Sequence, residues 1–392
     1  MRMRTTTRNS LGLLTALAAL TAVTAPAAFA ATPTSTVPSI HLRVFATAPS
    51  GLTHPDDITR LGGLLFAAYQ NNAGPDGSPA GSKTDVVAFD LKTGKVKHTY
   101  VIPGRVDGLT ADPHHHRVLA SVNEDLNSTL YTITPSEDEP LKHYTYSPNP
   151  AETGSDGTNG GTDALSVSAN GTIYVAHSNP DVSLPGANNT AAVFTLKLSG
   201  STAALSPLFG VNDTAPVINP APGAPTSAPL GLTDPDSNRW LAGPDGGTLV
   251  QDAQADSKLV FVTDLDAAKD HKKQPTVRQL NLTNAVTPST GAGTPQLDDI
   301  EQVTGAGTLF VSDQASGTIY QAATAGVRRG TIFVSQPAPK AGDQPNDPAL
   351  GVVDTTTGVV THLSAGVTLG NPKGLLFLPA THHKHHNGDS DN

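Results

Sequence analysis

Short apolar runs, cut at regular intervals by turn-forming residues, set the pattern of this chain. Segments such as LLFAAYQ, DVVAFDL, RVLASV, TIYVAHS, AAVFTLKL, KLVFVTD, TLFVSD and TIFVSQ alternate apolar with polar positions or are rich in β-branched residues. Gly, Asn, Asp and Pro separate them. No long window carries a helical period with caps at both ends. The pattern predicts many short antiparallel strands joined by tight turns.

The runs also repeat. An acidic residue and an aliphatic pair, a turn, and a strand ending in polar residues recur as a unit. It begins at His54-Pro55-Asp56-Asp57-Ile58, Val106-Asp107-Gly108-Leu109, Thr162-Asp163-Ala164-Leu165, Asp234-Pro235-Asp236-Ser237 and Leu297-Asp298-Asp299-Ile300. A last copy, Asn371-Pro372-Lys373-Gly374-Leu375, has Lys where the others have Asp. VVAFDLKTGKVKHTYVI and LGVVDTTTGVVTHLS match as hairpins with a Thr-Gly turn, giving third and fourth strands to the unit. Units of this kind predict an all-β fold, a propeller of four-stranded antiparallel blades, because radial repetition leaves few open sheet edges. Six copies predict six blades, and the stretch from 298 to 373 is long enough for a seventh. The fifth unit reads as Asp298-Asp299-Ile300 followed by GTLFVSDQASGTIYQ, and His41 to Phe45 is expected to close the ring as an outer strand. The propeller then spans 41–380, with breaker-rich rim loops at 147–161 and 212–229.

Composition places this domain outside the cytoplasm. Arg2, Arg4 and Arg8 precede an apolar run from Leu11 to Val23, and Ala28-Phe29-Ala30 forms a small-x-small cleavage site. Residues 1–30 therefore read as a secretory signal peptide, 31–40 as a linker, and the His-rich segment 381–392 as a disordered tail. Secretion, no membrane span after signal removal and a monomeric state are the corresponding expectations. Loss of the leader leaves 21 Lys and Arg against 34 Asp and Glu. Such an acidic surface argues against nucleic acid as a partner, which needs basic patches. The chain has no Cys, so its stability in an oxidising compartment rests on packing alone.

The PDDI, DGL, DAL and DDIE starts, followed by GTLFVSD-type strands, resemble the gluconolactonase-like and NHL-type β-propellers across most of residues 41 to 380. In gluconolactonase-like enzymes the same starts carry a Glu, two Asn and an Asp that bind a divalent metal in the channel. The resemblance places Asp56 at the position of the Glu and Asp163 at that of an Asn.

In register, the repeat brings Asp56, Asp107, Asp163, Asp236 and Asp298 to one mouth of the channel, with Lys373 as the lone cation among them. Crowded carboxylates either stay protonated or gather a cation, and hard oxygen ligands suit Ca²⁺ or Mg²⁺. Asp107 and His177 are the candidate catalytic groups, His177 as proton carrier. Asp at a strand start also caps its own turn, so a purely structural reading stands beside the metal one. Asp234-x-Asp236-x-Asn238 matches the start of a calcium loop, with Arg239 where the sharp turn wants Gly. His114-His115-His116 is a surface histidine run, and Trp240 reads as core. No G-x-S-x-G elbow or H-E-x-x-H helix is present. Two functions follow: a binding or scaffold propeller offering its mouth to a small molecule or protein, and a metal-dependent hydrolase of lactones or related esters.

Overall fold

The computed structural model describes residues 39–150, 160–180, 190–243, 246–265, 274–285, 294–339 and 347–380. The expected leader and the His-rich tail lie outside them. No helix among the described residues is long and apolar enough to cross a membrane.

Strands of two to nine residues account for the ordered elements, and they group into meanders of four. Blade 1 runs Pro55–Leu61, Leu64–Tyr69, Lys83–Asp90, Val96–Pro103 from inside to outside. Blade 2 runs Val106–Asp112, Arg117–Val122, Thr129–Ile133, Leu141–Ser147. Blade 3 runs Leu165–Val167, Ile173–Ala176, Ala191–Ser199, Thr202–Gly210. Blade 4 runs Pro235–Leu241, Thr248–Ala253, Lys258–Thr263, Thr276–Asn281. Parallel pairing of Thr202 with Thr145 joins blades 2 and 3 at their outer edges into one eight-stranded sheet.

The last two blades correct the expected chain order. The inner strand Asp299–Val303 pairs with Thr331–Gln336, not with the Gly307–Asp313 strand that follows it. Gly307–Asp313 and Thr318–Ala323 lie instead in the next blade, whose inner strand is Pro372–Pro379. Blade 5 is therefore Asp299–Val303, Thr331–Gln336, Ala349–Val353, Val359–His362, with Thr283–Asn284 added parallel at its edge. Blade 6 is Pro372–Pro379, Gly307–Asp313, Thr318–Ala323, Arg43–Thr47. The two blades interleave, so neither can leave the ring without the other. The N-terminal strand closes blade 6 as expected, pairing with Thr318–Ala323 and setting Phe45 edge-on to Phe310 at 5.1 Å.

The six inner strands contact one another in order, and Pro372–Pro379 contacts Pro55–Leu61 to complete the circle. Apolar side chains lie between neighbouring blades. Phe66, Val86 and Val118 pack blade 1 on blade 2, and Leu119, Val175 and Phe194 pack 2 on 3. Leu249 and Val260 meet Tyr174 between 3 and 4, and Ile58, Phe89 and Phe310 seal 6 on 1. Each strand alternates its apolar side chains between the two neighbouring blades, which is why both faces of each sheet read as hydrophobic. The 212–229 segment is more ordered than a rim loop: Thr214–Pro216 pairs with Ser227–Pro229. Asn219 beyond it donates to the carbonyls of Asn281 and Thr357, both at 2.8 Å, tying the outer edges of blades 4 and 5.

Candidate functional site

Each inner strand of blades 1, 2 and 4 begins with a β-bulge. Pairing shifts between Pro55 and Ile58, between Val106 and Leu109, and between Pro235 and Asn238. A bulge inserts one residue and re-aims the side chains beside it. Here the displaced residues are the aspartates of the repeat. The five aspartates and Lys373 line one cavity at the channel mouth, as their register requires. At the next position the strands come so close that side chains are restricted. A Cβ on Gly374 would stand 2.8 Å from the Asp56 carbonyl oxygen, and one on Gly108 would stand 2.7 Å from Ala164 Cα.

Where the second residue of the repeat is acidic, it holds neighbouring strands together. Asp57 Oδ2 accepts from the Leu109 amide at 2.9 Å, blade 1 to blade 2. Asp299 accepts from Leu375 N at 2.6 Å and Glu301 from Phe377 N at 2.9 Å, blade 5 to blade 6. Arg239 completes this layer, reaching Asp299 at 2.9 Å, the Ile300 carbonyl at 2.9 Å and the Leu375 carbonyl at 2.8 Å. Buried carboxylates that accept several amide hydrogens are satisfied structurally, so this layer is part of the frame. It also overturns the calcium-loop reading: residues 235–241 are a strand, and Asn238 Nδ2 donates to the Ala164 carbonyl at 3.1 Å. Arg239 stands on that strand as a frame residue.

The first residue of the repeat faces a different situation. Arg105, which the repeat did not reveal, pairs with Asp107 at 2.8 Å and with Glu124 at 3.1 Å. Lys373 pairs with Asp298. Gln70 Nε2 bridges Asp56 Oδ2 at 2.5 Å and Asp107 Oδ1 at 3.0 Å. Gln254 donates to Asp236 Oδ2, and the neighbouring Asp163 carboxylate faces Asp236 as a like charge. Asp56 Oδ1 and Asp107 Oδ2 are buried without a hydrogen-bond partner.

Burial dominates the electrostatics. It pushes Asp56 up to about 7, against the pull of Lys373, with Asp298 adding to the rise. Asp107 is also driven well above the usual carboxylate range, first by burial, although Arg105 opposes it. Burial raises Asp163 strongly, with Glu124 and Asp107 adding to it, and raises Asp236 strongly, with Asp163 adding. Burial disfavours charge on Lys373 and Arg105 too. The carboxylates around them, Asp298 for the lysine and Asp107 for the arginine, outweigh it and hold both above their ordinary values.

The inner cavity has about 60 Å³ of room. A second space of about 340 Å³ shares Arg105, Gln254 and Lys373 with it and forms a vestibule. Six carboxamides line that vestibule: Gln70, Asn72, Gln254, Gln296, Gln314 and Asn371. Three of them form a chain leading to the acidic ring. Asn371 donates to Gln314 at 2.8 Å and Gln314 to Gln70 at 3.4 Å, and Gln70 then reaches Asp56 and Asp107.

A divalent metal fits this arrangement poorly. Ca²⁺ takes six to eight oxygens converging at roughly 2.3–2.6 Å. Among the described residues no group of three His, Cys, Asp or Glu is placed to hold a metal ion. Four of the five ring carboxylates are engaged instead by Gln70, Arg105, Lys373 or Gln254.

His177 lies elsewhere. It is fully buried, its Nδ1 donates to the Ala191 carbonyl at 2.9 Å, and its ring packs on Phe194 at 5.2 Å. Burial lowers it to about 4, and it does not line the cavity. His115 of the histidine run pairs with Asp112 at 2.7 Å, and Trp240 stacks on Tyr174 at 5.9 Å.

No family model and no curated protein matches the chain. Solved structures with similar strand arrangements include virginiamycin B lyase from Staphylococcus aureus. It is 12% identical with a TM-score of 0.43, and the match covers 86% of this chain and 82% of that one. The periplasmic gluconolactonase of Pseudomonas aeruginosa is another, 11% identical, TM-score 0.46, covering 87% and 99%. A putative gluconolactonase is 12% identical, TM-score 0.44, covering 82% and 80%. At these identities the likeness is one of fold.

Proposed function

We propose that this chain is an exported binding propeller whose channel mouth takes a small polar molecule rich in hydroxyl groups. The carboxamide-lined vestibule above the acidic cavity carries the reading. Its 340 Å³ suits a small ligand, and carboxamides both donate to and accept from hydroxyls. Export rests on the leader-like residues 1–30. Calorimetric titration of the mature protein with monosaccharides, polyols and sugar lactones tests the proposal. The expected result is binding by at least one probe that is weakened about tenfold or more in Gln314→Ala, which removes the centre of the carboxamide chain, by the usual cost of a lost polar contact. No binding by any probe, or binding indifferent to that change, overturns it.

A second reading, hydrolysis of lactones or related esters, is favoured by Asp56, a carboxyl that burial places near neutral pH. Groups so poised serve as general acids and bases. Lactone consumption that disappears in Asp56→Asn and Asp107→Asn with folding intact supports catalysis, and unchanged rates in both rule it out.

A further inference from the structure

The acidic cavity is more than a ring of like charges. Eight carboxyl side chains line it against two cations, Arg105 and Lys373. Both cations are committed: Arg105 to Asp107 and Glu124, Lys373 to Asp298. Among the described residues no Lys or Arg is ion-paired with Asp163 or Asp236. Asp56 and Asp107 are each more than nine-tenths buried, line the cavity, and keep one oxygen apiece without a partner. A buried acceptor left unmade costs on the order of 1–3 kcal/mol, so these oxygens call for a donor from outside. The missing group must be cationic, must donate several hydrogen bonds, and must be small. The inner cavity's room of about 60 Å³ admits only a small head group.

A divalent metal needs convergent ligands that this site does not bring together. A primary ammonium needs less. It offers three donors that rotate to suit acceptors arriving from different blades, and carboxylates compensate its charge at ordinary hydrogen-bond distances. Resting on the binding function proposed above, we infer that the acidic cavity receives the primary ammonium group of an amino-bearing polyol whose hydroxyls lie against the vestibule carboxamides. Asp163 and Asp236 supply the negative charge that no ion pair compensates, and the open oxygens of Asp56 and Asp107 accept from the ammonium. The chain's own cations complete one side of the ring and the ligand's cation completes the other.

The test is a matched pair of probes, glucamine and sorbitol, which differ in a single amino group, titrated calorimetrically into the mature protein at neutral pH. Glucamine is expected to bind at least about tenfold more tightly, equivalent to ~1.4 kcal/mol. That preference should vanish in the Asp163→Asn/Asp236→Asn double variant, with a melting curve showing that the variant is folded. On the unmodified protein, raising the salt concentration should weaken glucamine and leave sorbitol unchanged, an arm that needs no variant. Equal binding of the two probes overturns the inference while leaving the hydroxyl-binding reading in place. Binding of neither overturns the inference, and the hydroxyl-binding reading falls with it if the monosaccharides and sugar lactones also fail to bind.

Discussion

The two sides of the acidic ring occupy equivalent places in the repeat and are built differently. On blades 5, 6, 1 and 2, Asp298, Asp56 and Asp107 are interleaved with Lys373, Arg105 and the bridging Gln70. On blades 3 and 4, Asp163 and Asp236 meet each other and Gln254. Burial is similar on both sides, so desolvation alone does not distinguish them. Compensation does. The first side carries the chain's own cations, and among the described residues the second carries none. A buried pair of that kind contributes little to holding a fold together, because removing charge from water is rarely recovered in full. The contrast therefore separates a framework side from a side left open for something else.

Removing Lys373 should break the contrast most severely. Lys373→Met leaves Asp298 and Asp56 buried with their principal cation gone, which is expected to cost about 3–5 kcal/mol, read as a fall in the urea midpoint at pH 8. The loss should shrink at pH 5, where protonation of Asp56 relieves its share of it. A variant as stable as the parent at both values would mean that Lys373 does not balance this side.

Much of this architecture is legible in the chain. The Asp56, Asp107, Asp163, Asp236, Asp298 and Lys373 series is visible because strand starts recur in register and the fold places equal registers on one circle. Arg105 was not visible, since the position two residues before the ring residue changes type from copy to copy, from His54 and Arg105 to Asp234, Gln296 and Asn371. Glu124 and the vestibule glutamines did leave a signal. The second strands end in Tyr69-Gln70, Asn123-Glu124, Ala253-Gln254 and Asp313-Gln314, a column of long polar side chains that the first-strand repeat overshadows. The interleaving of blades 5 and 6 could not be read at all. Gly307–Asp313 has the pattern of a second strand whichever inner strand it pairs with. The choice is made by where the short connection after Val303 crosses, and local sequence does not encode that. His177 misled for a related reason: its place at a strand end suggested the mouth, but the turn of that strand points it into the blade 2–blade 3 core against Phe194.

The open side should respond in the opposite sense to the framework side. Asp163 and Asp236 have carboxyls raised by burial in the folded state. A group whose folded pKa is raised lends stability below its unfolded value, near 3.9, and loses that contribution as pH rises toward the folded value. Asp163→Asn or Asp236→Asn removes this liability. Each is expected to gain on the order of 1 kcal/mol at pH 8, with a smaller gain at pH 5, by urea denaturation. The sign is opposite to that of Lys373→Met under the same conditions. A loss at pH 8 would make the pair part of the framework and erase the distinction between the two sides.

Calcium should have the smallest effect, and it addresses the open side directly. A specific site saturated a thousandfold over its dissociation constant adds about 4 kcal/mol, a shift of several degrees in the melting temperature of a domain this size. Attraction of Ca²⁺ to a ring of carboxylates without convergent ligands is screened and diffuse, and should move the midpoint by less than about 1 °C at a constant of that kind. Melts in EDTA and in millimolar Ca²⁺ are therefore expected to superimpose, and Asp163→Asn/Asp236→Asn should show the same indifference. A rise of several degrees that EDTA reverses and the double variant abolishes would mean that Asp163 and Asp236 swing together around a divalent ion. In that case the negative charge of the open side belongs to a metal, and the ammonium of a ligand has no place to bind.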